Sequence, residues 1–201
     1  MSLGFSQKTN TGTDFWMGFM KNYTGSGNSL RLYISASDNS KVKISIPLQN
    51  YIDSIFVPKD SVKVFYVPVS LGYIPELDSV VKRAIHITSD YPVSLSAMNL
   101  ITATTDASIV LPTANIPNSA TYVVGTPNSS GFYSLALMVA CQDSTIVNIT
   151  PSSLTASGKS SGVPYNIRLN KGEMYQLASK PGLLTGTVIK VTSPNKLTVF
   201  A

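Results

Sequence analysis

Apolar residues recur at every second position in short runs along this chain, and Pro, Gly, Asn and Asp separate the runs. LRLYIS (30–35) alternates with Leu30, Leu32 and Ile34 on one side, and VKISI (42–46) with Val42, Ile44 and Ile46. SVKVFYV (61–67), AIHIT (84–88) and VSLSA (93–97) repeat the pattern. Side chains alternate across a strand, so a period of two predicts half-buried sheet. The turn residues fall at the spacing of a sandwich or barrel. Helical periodicity is absent over any long stretch. GYIPELDSVVKRA (72–84) is the candidate for a short helical turn, because Pro75 followed by Glu76 and Asp78 suits a helix start.

The pattern also occurs twice. AIHITSDYPVSLSA (84–97) aligns with VIKVTSPNKLTVFA (188–201), Ile85 on Ile189, Ile87 on Val191, Val93 on Leu197 and Ala97 on Ala201. Upstream, YISASDNSKVKI (33–44) aligns with MVACQDSTIVNI (138–149), which sets Asp38 on Asp143 and Ile44 on Ile149. FVPKDSVKV (56–64) resembles RLNKGEMYQ (168–176), a turn between two strands. Repeated units of this length imply two similar lobes. The expectation is an all-β chain of two antiparallel β-sandwich-like lobes from an internal duplication. A flexible lead spans 1–12, a first β lobe 13–103 and a second 104–201, or both lobes form one compact domain. The first half carries extra residues at 70–82, and the second a Ser/Gly-rich insertion at 152–162 that reads as a flexible loop.

Composition narrows the function classes. Charged residues make up 12% of the chain, about half the share usual in globular proteins. Abundant β-branched residues exclude a disordered chain. The formal net charge is +5, but the basic residues are scattered and only Arg31, Arg83 and Arg168 are arginines, so no basic arm points to nucleic acid. The single cysteine, Cys141, cannot form an intramolecular disulfide and reads as a small buried side chain. No apolar run is long enough to cross a membrane as a helix, and MSLGFSQKTN has no signal-peptide core.

Chemical motifs are sparse. The phosphate-cradling loop GxxxxGK[ST] is absent, and one His and one Cys cannot build a zinc site. His86, the only histidine, aligns with Lys190 between inward-facing residues, so it is expected to face solvent without partners and not to act as a base or ligand. Most Asp residues, Asp38, Asp60, Asp90 and Asp143 among them, are read as turn residues bonding local backbone. Phe15, Trp16 and Phe19 are read as core, not as a binding platform. Acceptor sequons stand at Asn22, Asn128 and Asn148.

GTDFWMGFMKN (12–22) resembles the opening of the IgGFc-binding protein N-terminal domain family, Gly-x-Asp-Phe-(Trp)-x-x-Phe-x-x-Asn. HITSDYPVSLSAMN (86–99), TTDASIVLP (104–112), ATYVV (120–124), DSTIVNITPS (143–152) and LTGTVIKVTSPNKLTVFA (184–201) follow in the family's order. Leu183 stands where the family commonly has Asp. The resemblance implies an extracellular or cell-surface module that is not an enzyme and needs no cofactor or metal. An animal member binds the constant region of immunoglobulin G, and similar domains occur in large bacterial surface proteins. The expected function is therefore adhesion or binding of a protein or glycan through exposed loops, with neither nucleic acid nor membrane insertion. The candidate contact residues are Tyr23, Asn28, Tyr73, Glu76, Asp78 and Lys159. The alternative is a structural building block of a cell-surface filament, stalk or sheath, through self-association or neighbouring domains.

Overall fold

A computed structural model describes residues 9–22, 28–102, 104–127, 131–180 and 182–201. The first eight residues of the lead, the sequon at 128–130 and the candidate contact Tyr23 lie outside the described residues.

The regular secondary structure is nearly all antiparallel strand. The first half contains β1 (Thr11–Met17), β2 (Ser29–Ala36), β3 (Ser40–Ile46), β4 (Tyr51–Val57), β5 (Ser61–Val67), β6 (Val80–Val81), β7 (Ile85–Leu100) and β8 (Thr105–Val110). The second contains β9 (Thr121–Val123), β10 (Ser134–Ala140), β11 (Thr145–Thr150), β12 (Tyr165–Leu169), β13 (Met174–Ser179), β14 (Val188–Val191) and β15 (Leu197–Phe200). The alternating runs became strands with the expected inward set: Leu32, Ile34, Val42, Ile44 and Ile46 are fully buried. Burying each such side chain contributes roughly 1.5–3 kcal/mol.

AIHIT and VSLSA, read as separate strands, are one unbroken strand, β7, and Asp90 lies inside it rather than in a turn. The near half of β7 pairs with β1 and β3, and β3 with β4. Its far half pairs with β2 and β8, and β2 with β5. Two layers, β1-β7-β3-β4 and β8-β7-β2-β5, thus share β7 and face each other across one core of Phe15, Met17, Leu32, Ile44, Ile87 and Leu95 among others. The second half forms the layers β9-β14-β11-β12 and β15-β10-β13-β6, with β14 and β15 in place of the single β7.

Hydrogen-bond register matches between the halves. Ala36↔Val93 and Ile34↔Leu95 have counterparts in Ala140↔Leu197 and Met138↔Val199. Val57↔Ser40 corresponds to Leu169↔Thr145. The β4–β5 turn closes with Asp60 N–H donating to Ala36 O, and the β12–β13 turn with Gly172 N–H donating to Ala140 O. Both turn residues have positive φ, 54° and 82°, which a glycine adopts without strain and an Asp tolerates. Asn39 Oδ1 accepts Lys59 N–H in one turn and Asp143 Oδ1 accepts Lys171 N–H in the other, so Asn39 rather than Asp38 is the counterpart of Asp143.

Three sequence expectations change. Ile44 pairs with Ile87 and Ile149 with Ile189, so Ile189, not Val191, stands at Ile87's place and Thr88, not His86, at that of Lys190. The longer connection between β14 and β15 causes the shift. The helical turn forms earlier than expected, as α1 (Val69–Gly72), and Pro75 follows it in extended chain. The insertion at 152–162 is pinned, not loose: Ala156 N–H donates to Ala178 O and Gly162 N–H to Pro151 O.

The halves pack through an apolar cluster that joins Trp16, Ile74, Val81 and Ala84 to Leu137, Val139, Cys141 and Met174. β10 is therefore buried on both faces, against its own half and against the first. Phe15, Trp16 and Phe19 are core residues, 0%, 2% and 3% exposed. Gly18 sits where a Cβ would come within 2.4 Å of Met174 Sδ, so the absence of a side chain lets the two halves close. Gln176, fully buried here, accepts Lys21 N–H at 2.6 Å and donates to Glu76 O at 2.7 Å.

Candidate functional site

A groove of about 840 Å³ opens beside this interface, with walls from both halves. Its lining includes residues 105–108 of β8 and Val199, Phe200 and Ala201. β8 and β15 are both edge strands, each pairing along one side only among the described residues. The backbone N–H and C=O groups of an edge strand can receive a further extended segment.

The groove's chemistry comes from a few side chains. The Nζ atoms of Lys21 and Lys180 each lie 5.4 Å from the ring centroid of Tyr133, two cations on one aromatic ring. Phe132 beside it is 52% exposed. Asn99, 4% exposed, donates through Nδ2 to Met20 O at 2.9 Å, while its Oδ1 is enclosed without a partner among the described residues. A buried acceptor left unpaired costs about 1–3 kcal/mol, which a donor entering the groove would recover. Asn22 holds the floor: its Nδ2 donates to Asn99 O at 3.1 Å and its Oδ1 accepts from Thr104 Oγ1 at 2.5 Å. Asp106 is the acid on the lining, and burial raises its carboxyl above the ordinary range.

The loop residues singled out from sequence lie elsewhere and divide into two groups. Arg83 gathers Tyr73 and Glu76, donating to Tyr73 O at 2.8 Å and lying 3.8 Å from Glu76 Oε1. Asp78 meets the 152–162 insertion: Oδ2 accepts Ser157 N–H at 2.7 Å and Oδ1 accepts Ala178 N–H at 2.9 Å. Lys159 lies over the Tyr165 ring at 5.5 Å. Asn28 Oδ1 is enclosed without a partner among the described residues. None of the described five lines the groove. Lys21, Asn99, Tyr133 and Lys180 were missed because each comes from a different element and no local motif joins them.

One further sequence expectation changes. His86 is half-buried and partnered: Nε2 lies 2.7 Å from Asp14 Oδ2, and the ring stacks on Trp16 at 4.2 Å. The bond to His86 holds the Asp14 carboxyl below its ordinary range, against the opposing effect of burial. β1 and β7 set this pair by placing Trp16 opposite His86 and Asp14 opposite Thr88. GKSSG (158–162) has the Gly-x-Ser-x-Gly spacing of a nucleophile elbow. It lies in an exposed loop, not at the strand-to-helix turn that presents such a serine. Among the described residues no cluster of three or more His, Cys, Asp or Glu could hold a metal ion.

These features define an all-β protein of paired antiparallel sheets with an open groove between its halves. Residues 106–201 match the family described as IgGFc binding protein, which bears out over that stretch the resemblance read from the ordered sequence blocks. A search of curated proteins finds no match. Among solved structures, the chain is similar to vicilin from Corylus avellana (hazelnut) at 8% identity, over 94% of this chain and 71% of that one, with a TM-score of 0.29. A likeness that weak carries no argument.

Proposed function

We propose that the chain is an extracellular, non-enzymatic binding module that takes an extended acidic segment of a protein partner in the groove. The observation that carries this reading is one groove lined by two strands, β8 and β15, that pair along one side only among the described residues, together with Tyr133 and its two ammonium groups. Strand edges pair with peptide backbone, which favours a protein over a glycan. Lys21 and Lys180 outnumber Asp106 among the charged side chains of the lining, which favours an acidic segment, and Asn99 Oδ1 accepts a donor from it. The match to the IgGFc binding protein family supports a secreted or surface location and makes an immunoglobulin constant region one partner to test.

The reading moves the ligand away from Glu76, Asp78 and Lys159, whose polar groups serve the fold. Tyr73 keeps a supporting place, because its hydroxyl donates to Asn22 O at the groove floor. The repeated register supports two lobes descended from an internal duplication. Since β8 pairs within the first sheet, the boundary belongs after Val110 rather than at 104.

The test is binding of the intact chain to immobilised constant-region fragments, acidic and basic extended peptides and acidic glycans, repeated with Tyr133→Ala and with Lys21→Ala/Lys180→Ala. Acidic polypeptide binding that weakens about tenfold or more in both variants is the expected result. Binding that ignores these side chains, or glycan binding alone, would overturn it.

A further inference from the structure

The outward face of the second half's β10-β13 layer is fully covered. Leu137, Val139, Met174 and Gln176 on that face are 0% exposed; Trp16, Ile74 and Ala84 of the first half pack in one cluster with them, and Val81 of β6 stands beside Met174 in the same sheet. The matching registers place Tyr33, Ser35, Val62 and Val64 at the corresponding positions of the first half. There Val62 is exposed and Tyr33, Ser35 and Val64 are only half-buried among the described residues. Across strands β5, β2, β7 and β8 the outward rows read Val64, Tyr33, Ser96, Ile109 and Tyr66, Arg31, Met98, Ala107. Val62 is 60% exposed, Tyr66 61% and Ile109 61%. Arg31 is the one charged side chain in these rows, and its guanidinium lies 5.4 Å from the Tyr66 ring centroid. Water does not favour so apolar a face, and one of this kind marks an interaction surface.

The chain also carries the counterpart of what covers such a face. Inside the molecule the cover includes the outer side of the β1-β7 pair, where Trp16 stands opposite His86. In the second half β9 pairs with β14 as β1 does with β7, and Val123 stands opposite Val188 at that place. Val123 is 71% exposed. Each copy therefore presents one open face and, on the strand pair that corresponds to the one closing such a face within the chain, an exposed apolar residue, Val123, at the place of Trp16.

We propose that the β5-β2-β7-β8 face is an interface between copies of this chain, receiving the β9-β14 face of a second copy. The contact uses different patches on the two copies, so it is heterologous, and each added copy leaves a new open face for the next. The inference does not depend on the groove or its ligand.

The test is light scattering across concentration on the intact chain and two variants, Val62→Asp and Val123→Asp, both at exposed positions where circular dichroism checks that the fold is kept. The wild-type mass is expected to grow with concentration, and each variant alone to need at least about tenfold more protein for the same growth. An equimolar mixture of the two is expected to stop at dimers, since each variant supplies the face that the other has lost. A wild-type chain that stays monomeric at every concentration would overturn the proposal. So would association that Val62→Asp abolishes and Val123→Asp leaves untouched, because that is face-to-face pairing.

Discussion

Gln176→Leu removes a buried polar link between the halves while nearly preserving volume. In the wild type, Oε1 accepts Lys21 N–H at 2.6 Å, and Nε2 donates to Glu76 O at 2.7 Å and to Ile74 O at 3.4 Å. Leucine fills the space but strands one donor and at least one acceptor in part-buried surroundings. Each stranded group costs about 1–3 kcal/mol, and the leucine's own apolar burial returns part of the loss. The expected net destabilisation is about 3 kcal/mol, or a fall in Tm of roughly 6–12 °C for a chain of this size. Trp16, the single tryptophan, is 2% exposed at that interface, so its fluorescence reports the halves coming apart during urea unfolding. Circular dichroism at the same urea concentrations reports the strands. A Gln176→Leu variant within about 0.5 kcal/mol of wild type would refute the claim that Gln176 holds the halves together. Fluorescence loss well before loss of strand signal would instead mean that the halves separate before they unfold.

Asp14→Asn should flatten the acid limb of stability. The folded carboxyl is held below its ordinary value, so the wild type carries stabilisation that is present above the unfolded value and lost as pH falls through the folded one, which Tm measured down the acid range will register. On the alkaline side the sign reverses. Burial pushes Tyr122 up to about 12 and also raises Tyr165 and Tyr175, so the unfolded chain ionises first; Tm should hold steady below a pH of about 10 and fall above it, and a flat Tm through that range would contradict the burial of these phenols. Asp78→Ala should release the 152–162 insertion by removing the acceptor of Ser157 N–H and stranding Ala178 N–H. Faster tryptic cleavage after Lys159, with a stability loss of about 1–3 kcal/mol, is the expected outcome, and an unchanged cleavage rate would show that the loop is held by other contacts.

The strands were legible because alternation is a local property. Leu30, Leu32 and Ile34 announce which side of β2 is buried without reference to any partner. The doubled pattern was legible too, and its approximate alignment was enough to find the paired turns at Asp60 and Gly172. The alignment slipped where hydrogen bonding, not residue type, sets the register, and so His86 was matched to Lys190 although Thr88 holds that place. The groove was not legible at all. Lys21 follows β1, Asn99 is next to last in β7, Tyr133 precedes β10 and Lys180 follows β13, and no spacing along the chain connects them.

By itself the sequence determined the all-β class, the inward set of the strands and the burial of Phe15, Trp16 and Phe19, because each follows from side-chain period and size. Only the tertiary structure decided that β7 serves both layers of the first half, that Trp16 stacks on His86 beside Asp14, and that the covered face of one half stays open on the other. Those outcomes depend on which strands pair and how two sheets approach, and long-range contacts between residues far apart in the chain fix both.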